Sequence, residues 1–458
     1  MMGRLDRDQK QLFYAFDLDD AVPGDHPVRQ IARVLNLSWV HGALAPHYSH
    51  TGRPSIDPEL MLRMLILGYV FAVRSERQLV REVQVNLAYR WFCGLGIEDK
   101  VPGHSAFSRA RNERFRNSNL LRQLFEQIVS DCIDARLVGG EGFAVDASLI
   151  EADANKCRSI PGKDWNKNHN RDAASRAVRE YLDTLDDAAF GAASDVTPKF
   201  VSRSDPAAQW TGAMKDKAFF AYADNDLIDT QHGIIMDVEA TRAIRQAEVG
   251  ASRTMLDRTE QRFGIKPKWL AGDTAYGSAE NLGWLVNEKG IAPHVPVIDK
   301  SKRDDGTFSR DDFHYDEERD CYVCPTGADL TTTGRVRDGT TFSYLASVND
   351  CRPCPMKDRC CPKAPQRKIP RSIHEAARNV ARDIAGTEAF EETRRHRKKV
   401  EMAFAHMKRI FKLERFRLRG ISGARDEVLL TAMAQNLRKL ARYASRPPPP
   451  LKLARKNA

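Results

Sequence analysis

The sequence predicts an α/β protein with an all-helical N-terminal part and a small cysteine-rich insert, and three observations lead there. Up to about residue 135 the apolar residues recur at helical spacing. After Gly139-Gly140 the pattern changes to strand-length apolar runs broken by a longer amphipathic stretch. Six of the nine cysteines then crowd into residues 321–361.

A chain of 458 residues is long enough for about three domains and for a sizeable core without disulfide staples. The reading divides it into a helical part at 1–135, an α/β body at 136–300 and 375–445, a cysteine-rich insert at 301–374 and a basic, disordered tail at 446–458. Lys plus Arg number 72 against 62 Asp plus Glu, a net charge of +10, which favours a polyanionic partner, with nucleic acid foremost. The first residues hold no apolar signal core, and Arg63 and Arg74 interrupt the longest hydrophobic region. The expectation is an intracellular, cytoplasmic protein with no membrane partner. In that compartment clustered cysteines point to metal more than to disulfides.

In the helical part, Asp57-Pro58-Glu59 reads as a helix start, with Asp57 as cap and Pro58 in the first turn, followed by Leu60, Met61, Met64 and Leu65. A second amphipathic run is expected over 75–92, carrying Leu79, Val83, Leu87 and Phe92 inward. A third helix opens at His104 and bears Arg109, Arg111 and Arg114. Arginines at that density suit phosphate contacts in a helix-turn-helix arrangement; a packing bundle with a solvated basic face is the alternative.

Gly142 to Ile150 reads as a core strand with an acid, Asp146, in its middle. A buried acid is costly unless it is paired or binds a cation, and a turn at the strand end is the competing reading. Residues 151–215 read as a polar excursion over the site, with Lys156, Lys163, Lys167 and His169 ahead of a helix at 172–185. Residues 218–222 and 233–238 are two neighbouring strands, and 245–263 is an amphipathic helix. Lys268 to Ala271 is a buried strand running into Gly272-Asp273, with Ser278 capping the next helix. Asp273 is therefore either a ligand-facing acid at a strand end or a turn residue. Residues 291–297 give one more strand.

Cys321-x-x-Cys324 and Cys351-x-x-Cys354, followed by Cys360-Cys361, make a fair zinc signature, since tetrahedral zinc takes four thiolates that short turns bring together. Six candidates exceed four ligands, so Cys321 or Cys361 is a spare; free thiols are the alternative. Farther on, Val400, Phe404, Met407 and Phe411 form one helical stripe, and Arg397, Glu401 and Lys408 lie within about 40° of each other along its edge. Glu401 is then either half of an i,i+4 pair with Arg397 or a metal ligand flanked by phosphate-binding cations. A final helix is expected over 426–443.

Taken together, these motifs resemble the bacterial insertion-sequence DDE transposases with an InsH-like N-terminal domain and a cysteine-rich insert. The resemblance rests on residues 48–55 and 86–92, on His104 to Ser108, on Asp273 to Ser278 and on the spacing of Arg397, Glu401 and Lys408. The family pattern has a tyrosine three residues before the arginine, where this chain has Arg394. The resemblance implies an RNase H-like catalytic domain, a mixed sheet flanked by helices, in which Asp146, Asp273 and Glu401 hold two Mg²⁺ or Mn²⁺ ions. It implies zinc on Cys324, Cys351, Cys354 and Cys360. It implies double-stranded DNA, both terminal inverted repeats and target, as the partner of a homodimer or higher oligomer at the nucleoid, with Arg397 and Lys408 orienting the DNA end. The activity implied is cleavage and transfer of the element's own ends. A DNA-binding repressor or decayed copy, and a nuclease that cuts without joining, are the competing functions.

Overall fold

The computed structural model describes residues 15–49, 51–52, 55–165, 174–183, 198–212, 217–299 and 305–445. Lys167, His169 and the basic tail lie outside them. The helical part contains α1 (Pro27–Val34), α2 (Pro58–Val70), α3 (Glu76–Val85), α4 (Leu87–Phe92), α5 (His104–Ala110) and α6 (Leu120–Asp134). Asp57 caps α2 as expected, its Oδ1 accepting from the Glu59 N–H at 2.7 Å. The run expected over 75–92 is two helices. Asn86 takes an extended backbone, closes α3 and caps α4 by accepting from the Tyr89 N–H at 3.2 Å. That break turns Leu87 outward, 40% exposed, where one continuous helix would have buried it.

The α/β body is built on a mixed sheet. Strand β1 (Gly142–Glu151) is followed by α7 (Arg176–Asp183), β2 (Gln209–Thr211), β3 (Phe219–Asp229), β4 (Ile235–Arg242), α8 (Arg245–Phe263), β5 (Trp269–Ala271), α9 (Ala279–Gly283) and β6 (Ala292–His294). The order is β2-β3-β1-β5-β6, with β4 also on β3; β1 runs antiparallel to β3 and parallel to β5. Gly142 is required where β1 meets β5, because a Cβ there would lie 1.9 Å from the Trp269 ring. β3 is longer than the apolar run suggests: Asp224, Asn225 and Asp226 continue it, wholly buried between β1 and β4.

The cysteine-rich insert is a second, antiparallel sheet of β7 (His314–Asp316), β8 (Cys321–Val323), β9 (Asp329–Thr332), β10 (Thr341–Ala346) and β11 (Lys368–Ser372). It has its own small core around Tyr322, Leu330, Tyr344 and Ile369. Three helices follow: α10 (Glu375–Ala385), α11 (Glu388–Arg409) and α12 (Gly420–Ala444). α12 begins at Gly420, whose φ of +79° suits a glycine, and so starts before the expected 426. It is buried on nearly every face and packs against α1, α2, α6, α7 and β4. One hydrophobic cluster consequently runs from Val22 to Ala441, so the N-terminal helices share their core with the α/β body.

One buried ion pair fastens these parts. Arg74, beyond α2, donates to the carbonyls of Lys412 at 2.6 Å and Arg415 at 2.9 Å and pairs with Glu427 of α12. Glu427 also accepts from the backbone N–H of Arg417 and Leu418, at 2.5 and 2.6 Å. The turn between α11 and α12 is thus held from both sides. Glu427→Ala leaves a buried guanidinium without its anion and is expected to cost about 3 to 5 kcal/mol in urea unfolding. A loss below about 1 kcal/mol would show that the pair does not fasten the turn.

Candidate active site

Asp146 sits in the middle of β1, opposite Asp226 of β3. Its Oδ1 accepts from the N–H of Ala147 at 2.9 Å. Burial, with repulsion from Asp273 and Glu401, pushes its carboxyl up from 3.8 to about 6, against the opposing pull of Arg397. Asp146 therefore senses the charges of two acids from other segments of the chain. Asp273 does the turn residue's work as well: it caps the short turn Thr274–Tyr276, accepting from the Ala275 N–H at 2.7 Å. Gly277 is dictated by the close approach of the segment after β6, since a Cβ would fall 1.9 Å from the Pro296 carbonyl oxygen.

The stripe of Val400, Phe404, Met407 and Phe411 is buried, which leaves Glu401 on the open edge of α11, half exposed. Its i,i+4 pair with Arg397 is formed at 3.2 Å. Lys408 is engaged differently from the expectation. Its Nζ donates to the Leu149 carbonyl of β1 at 3.1 Å, and burial lowers its pKa. It ties α11 to the acid-bearing strand instead of reaching outward.

The three arginines of the helical part separate. Arg109 is exposed. Arg114 lies over the Tyr48 ring, 4.4 Å from its centroid. Arg111 is 7% exposed and paired with Glu76 of α3, so it serves packing where the sequence suggested a phosphate contact.

Side chains that the sequence reading passed over also border the acids. Glu248 of α8 is raised by burial and by Asp273 and Asp146. The Tyr276 hydroxyl is buried without a hydrogen-bond partner, and its pKa rises through burial and the charges of Asp146, Glu248 and Asp273. Asp224 and Asp226 are fully buried with both oxygens unpartnered, and burial raises both. An acid two residues from another inside a strand-length run was the available signal.

Hard carboxylate oxygens suit Mg²⁺ or Mn²⁺. Among the described residues, however, no three His, Cys, Asp or Glu side chains gather closely enough to form a metal-holding group. The thiols show the same partial assembly. Thr326 Oγ1 lies 3.1 Å from Cys324 Sγ and 3.9 Å from Cys354 Sγ, and the Ala328 N–H donates to Cys324 Sγ at 3.3 Å. Cys351 and Cys360 both meet Cys361, and burial with that neighbour pushes Cys360 up to about 11. Cys321 is buried, with Arg319, Asp329 and Asp316 as its charged neighbours. Cys361, not named among the four ligands, stands beside Cys351 and Cys360.

The fold defines a mixed α/β protein whose central strand carries an acid, Asp146, that feels the charges of Asp273 at a strand end and Glu401 on a basic helix. Residues 16–113 match a transposase domain (DUF772), and residues 323–441 match a transposase DDE domain. Together the two matches support an insertion-sequence DDE transposase. The second match takes in Glu401 and the four cysteines and leaves Asp146 and Asp273 outside. No curated protein and no solved structure matches the chain.

The raised carboxyl of Asp146 has a direct consequence for stability. A folded pKa above the unfolded one makes the group bind its proton more tightly in the fold, so stability falls as pH rises from about 4 through 6 and stays lower above. Asp146→Asn is expected to stabilise the metal-free protein by on the order of 2 kcal/mol at about pH 7 and to change nothing at about pH 3. Denaturant unfolding at both values checks this. Equal effects at the two would remove the charge from the explanation.

Proposed function

We propose that the chain is a transposase that cleaves DNA at the ends of its own insertion sequence and transfers the freed strands, on an RNase H-like catalytic domain. The observation that carries this reading is the repulsion that Asp146, in the middle of β1, feels from both Asp273 and Glu401, which come from two other segments. The transposase DDE match over the Glu401 helix supports it. Asp146, Asp273 and Glu401 would hold two Mg²⁺ or Mn²⁺ ions, which when bound activate the attacking oxygen and stabilise the leaving one. The rest is the chain's own work. β1 and the Asp273 turn hold two carboxylates rigidly, α11 supplies the third from an open edge, and Arg397 neutralises Glu401 until a cation takes its place. Arg397 and Arg109 contact the DNA end, and Lys408 fixes the helix on β1. Terminal repeats and target are double-stranded DNA, engaged by a homodimer or higher oligomer.

The absence of a gathered three-ligand group among the described residues favours a second reading, a DNA-binding repressor or decayed copy that never cuts. Substitution separates the two. Asp146→Asn, Asp273→Asn and Glu401→Gln should each abolish Mg²⁺-dependent cleavage and joining of labelled DNA carrying the inverted repeats, while gel-shift affinity holds or rises. Wild-type protein that binds and never cuts would favour the repressor. Cutting by any variant at the wild-type rate would remove that residue from the site.

The insert is proposed to hold one structural zinc on Cys324, Cys351, Cys354 and Cys360, with Cys361 able to replace one of them. Metal analysis of protein purified without chelator should find about one zinc per chain, and chelation should unfold the insert. Metal-free protein with the insert fully folded would contradict the assignment.

A further inference from the structure

Beyond the acids, β1 ends beside a cleft of about 730 Å³ lined by Asp153, Asn155, Arg158, Arg203, Arg415 and Arg419. Four arginines face one aspartate there. Asp153 is fully engaged: Arg415 reaches its Oδ1 at 3.2 Å, and Arg419 reaches its Oδ2 at 2.9 and 3.0 Å. Arg415 also lies 3.7 Å from Glu151. Arg158 and Arg203 are exposed and, among the described residues, meet no acid. Guanidinium groups gathered around a concavity repel one another and focus a positive field into it, an arrangement that an anionic partner relieves.

A second and larger cleft, about 800 Å³, gives the contrast. It too is lined with arginines, yet Arg116 is answered by Asp426, Arg122 by Asp237, Arg258 by Asp237 and Glu239, and Arg425 by Glu239. Those cations hold the fold together. The cleft at the end of β1 carries cations in excess of what the fold uses.

Its place relative to the acids is set by the backbone. The segment after α11 runs along β1: the Glu151 N–H donates to the Glu414 carbonyl at 3.1 Å, and the Phe416 N–H donates to the Glu151 carbonyl at 2.7 Å. The strand that carries Asp146 and the chain that follows Glu401 thus lead together into the cleft. From Asp146 to Glu151 an extended chain covers roughly 17 Å. On duplex DNA that is roughly five nucleotides of one strand.

We propose that this cleft binds the phosphodiester backbone of the DNA a few nucleotides from the bond that is cut, with Arg158 and Arg203 as the phosphate-contacting side chains. Arg415 and Arg419, held in place by Asp153, complete the same anion-binding wall. The assignment rests on the transposase reading, because it takes DNA as the anion. Arginine is suited to the task by its planar, forked donors, which match phosphate oxygens two at a time.

The test is DNA binding by the full-length chain across a salt series, using random-sequence duplex and duplex carrying the inverted repeats. Arg158→Ala/Arg203→Ala should lower the slope of log K against log salt by about 2 and weaken binding at least about tenfold near 0.1 M salt. Arg335→Ala, at an exposed arginine of the insert that does not line the cleft, is the control and should leave the slope unchanged. Unfolding midpoints should agree among all three proteins, because both cleft side chains are exposed. A smaller slope on both duplexes assigns the cleft to DNA in general, and one confined to the repeat duplex assigns it to the element's ends. A double variant with the wild-type slope overturns the cleft assignment and leaves the transposase reading standing. Wild-type protein that binds neither duplex overturns both.

Discussion

The cost of burying carboxyl groups inside a sheet governs this molecule. Asp146, Asp224 and Asp226 occupy two paired strands at its centre, where a sheet ordinarily carries apolar side chains. Asp226 has no hydrogen-bond partner, and burial with the neighbouring Asp224 raises its carboxyl well above the usual carboxylate range. Asp146 is less enclosed and is held near 6, so it is ionised at neutral pH and remains under repulsion from Asp273 and Glu401. A fold that retains such a charge keeps a site where a cation gains more than it would in water. Glu401, left on the open edge of α11 by the buried apolar stripe, is paired with Arg397.

The basic residues answer two different needs. Asp237 and Glu239 on β4 draw in Arg122, Arg258 and Arg425, tying α6, α8 and α12 to one strand. Near the insert, Glu375 gathers Arg310, Arg378 and Arg382 in the same way. These ions are answered within the chain and serve as joints. Arg109 in the helical part, and Arg158 and Arg203 beyond β1, are exposed, and they are the side chains proposed to contact DNA. Net positive charge alone could not make that distinction, because it counts both kinds alike.

Much of the architecture was legible because local rules decide it. Asp57-Pro58 started a helix, residues 245–263 formed one over those same positions, and the Gly142 run became a strand with its acid in the middle. Asp146 stood out for the same reason, an acid inside a core strand, whereas Asp273 caps a turn and Glu401 makes an i,i+4 pair, so that local pattern alone left both open. What could not be read depends on distant partners. Arg111 is buried because Glu76 lies on a neighbouring helix, and Lys408 turns inward to a carbonyl 259 residues earlier. The length of β3 was hidden because Asp224 and Asp226 read as the end of a strand until a partner strand is seen on each side. Cys361 joined the thiols through the fold of its turn, which spacing alone did not distinguish from Cys321.

The central claim is that one divalent cation site is shared by three segments far apart in the chain. Localised cleavage of the backbone tests it most directly: Fe²⁺ is loaded in place of Mg²⁺, ascorbate and peroxide generate hydroxyl radicals at the bound iron, and the cut sites are mapped by mass spectrometry. The account predicts cuts clustered beside Asp146, Asp273 and Glu401 together, all suppressed by excess Mg²⁺. Cuts confined to one of these segments, or unaffected by Mg²⁺, would contradict it.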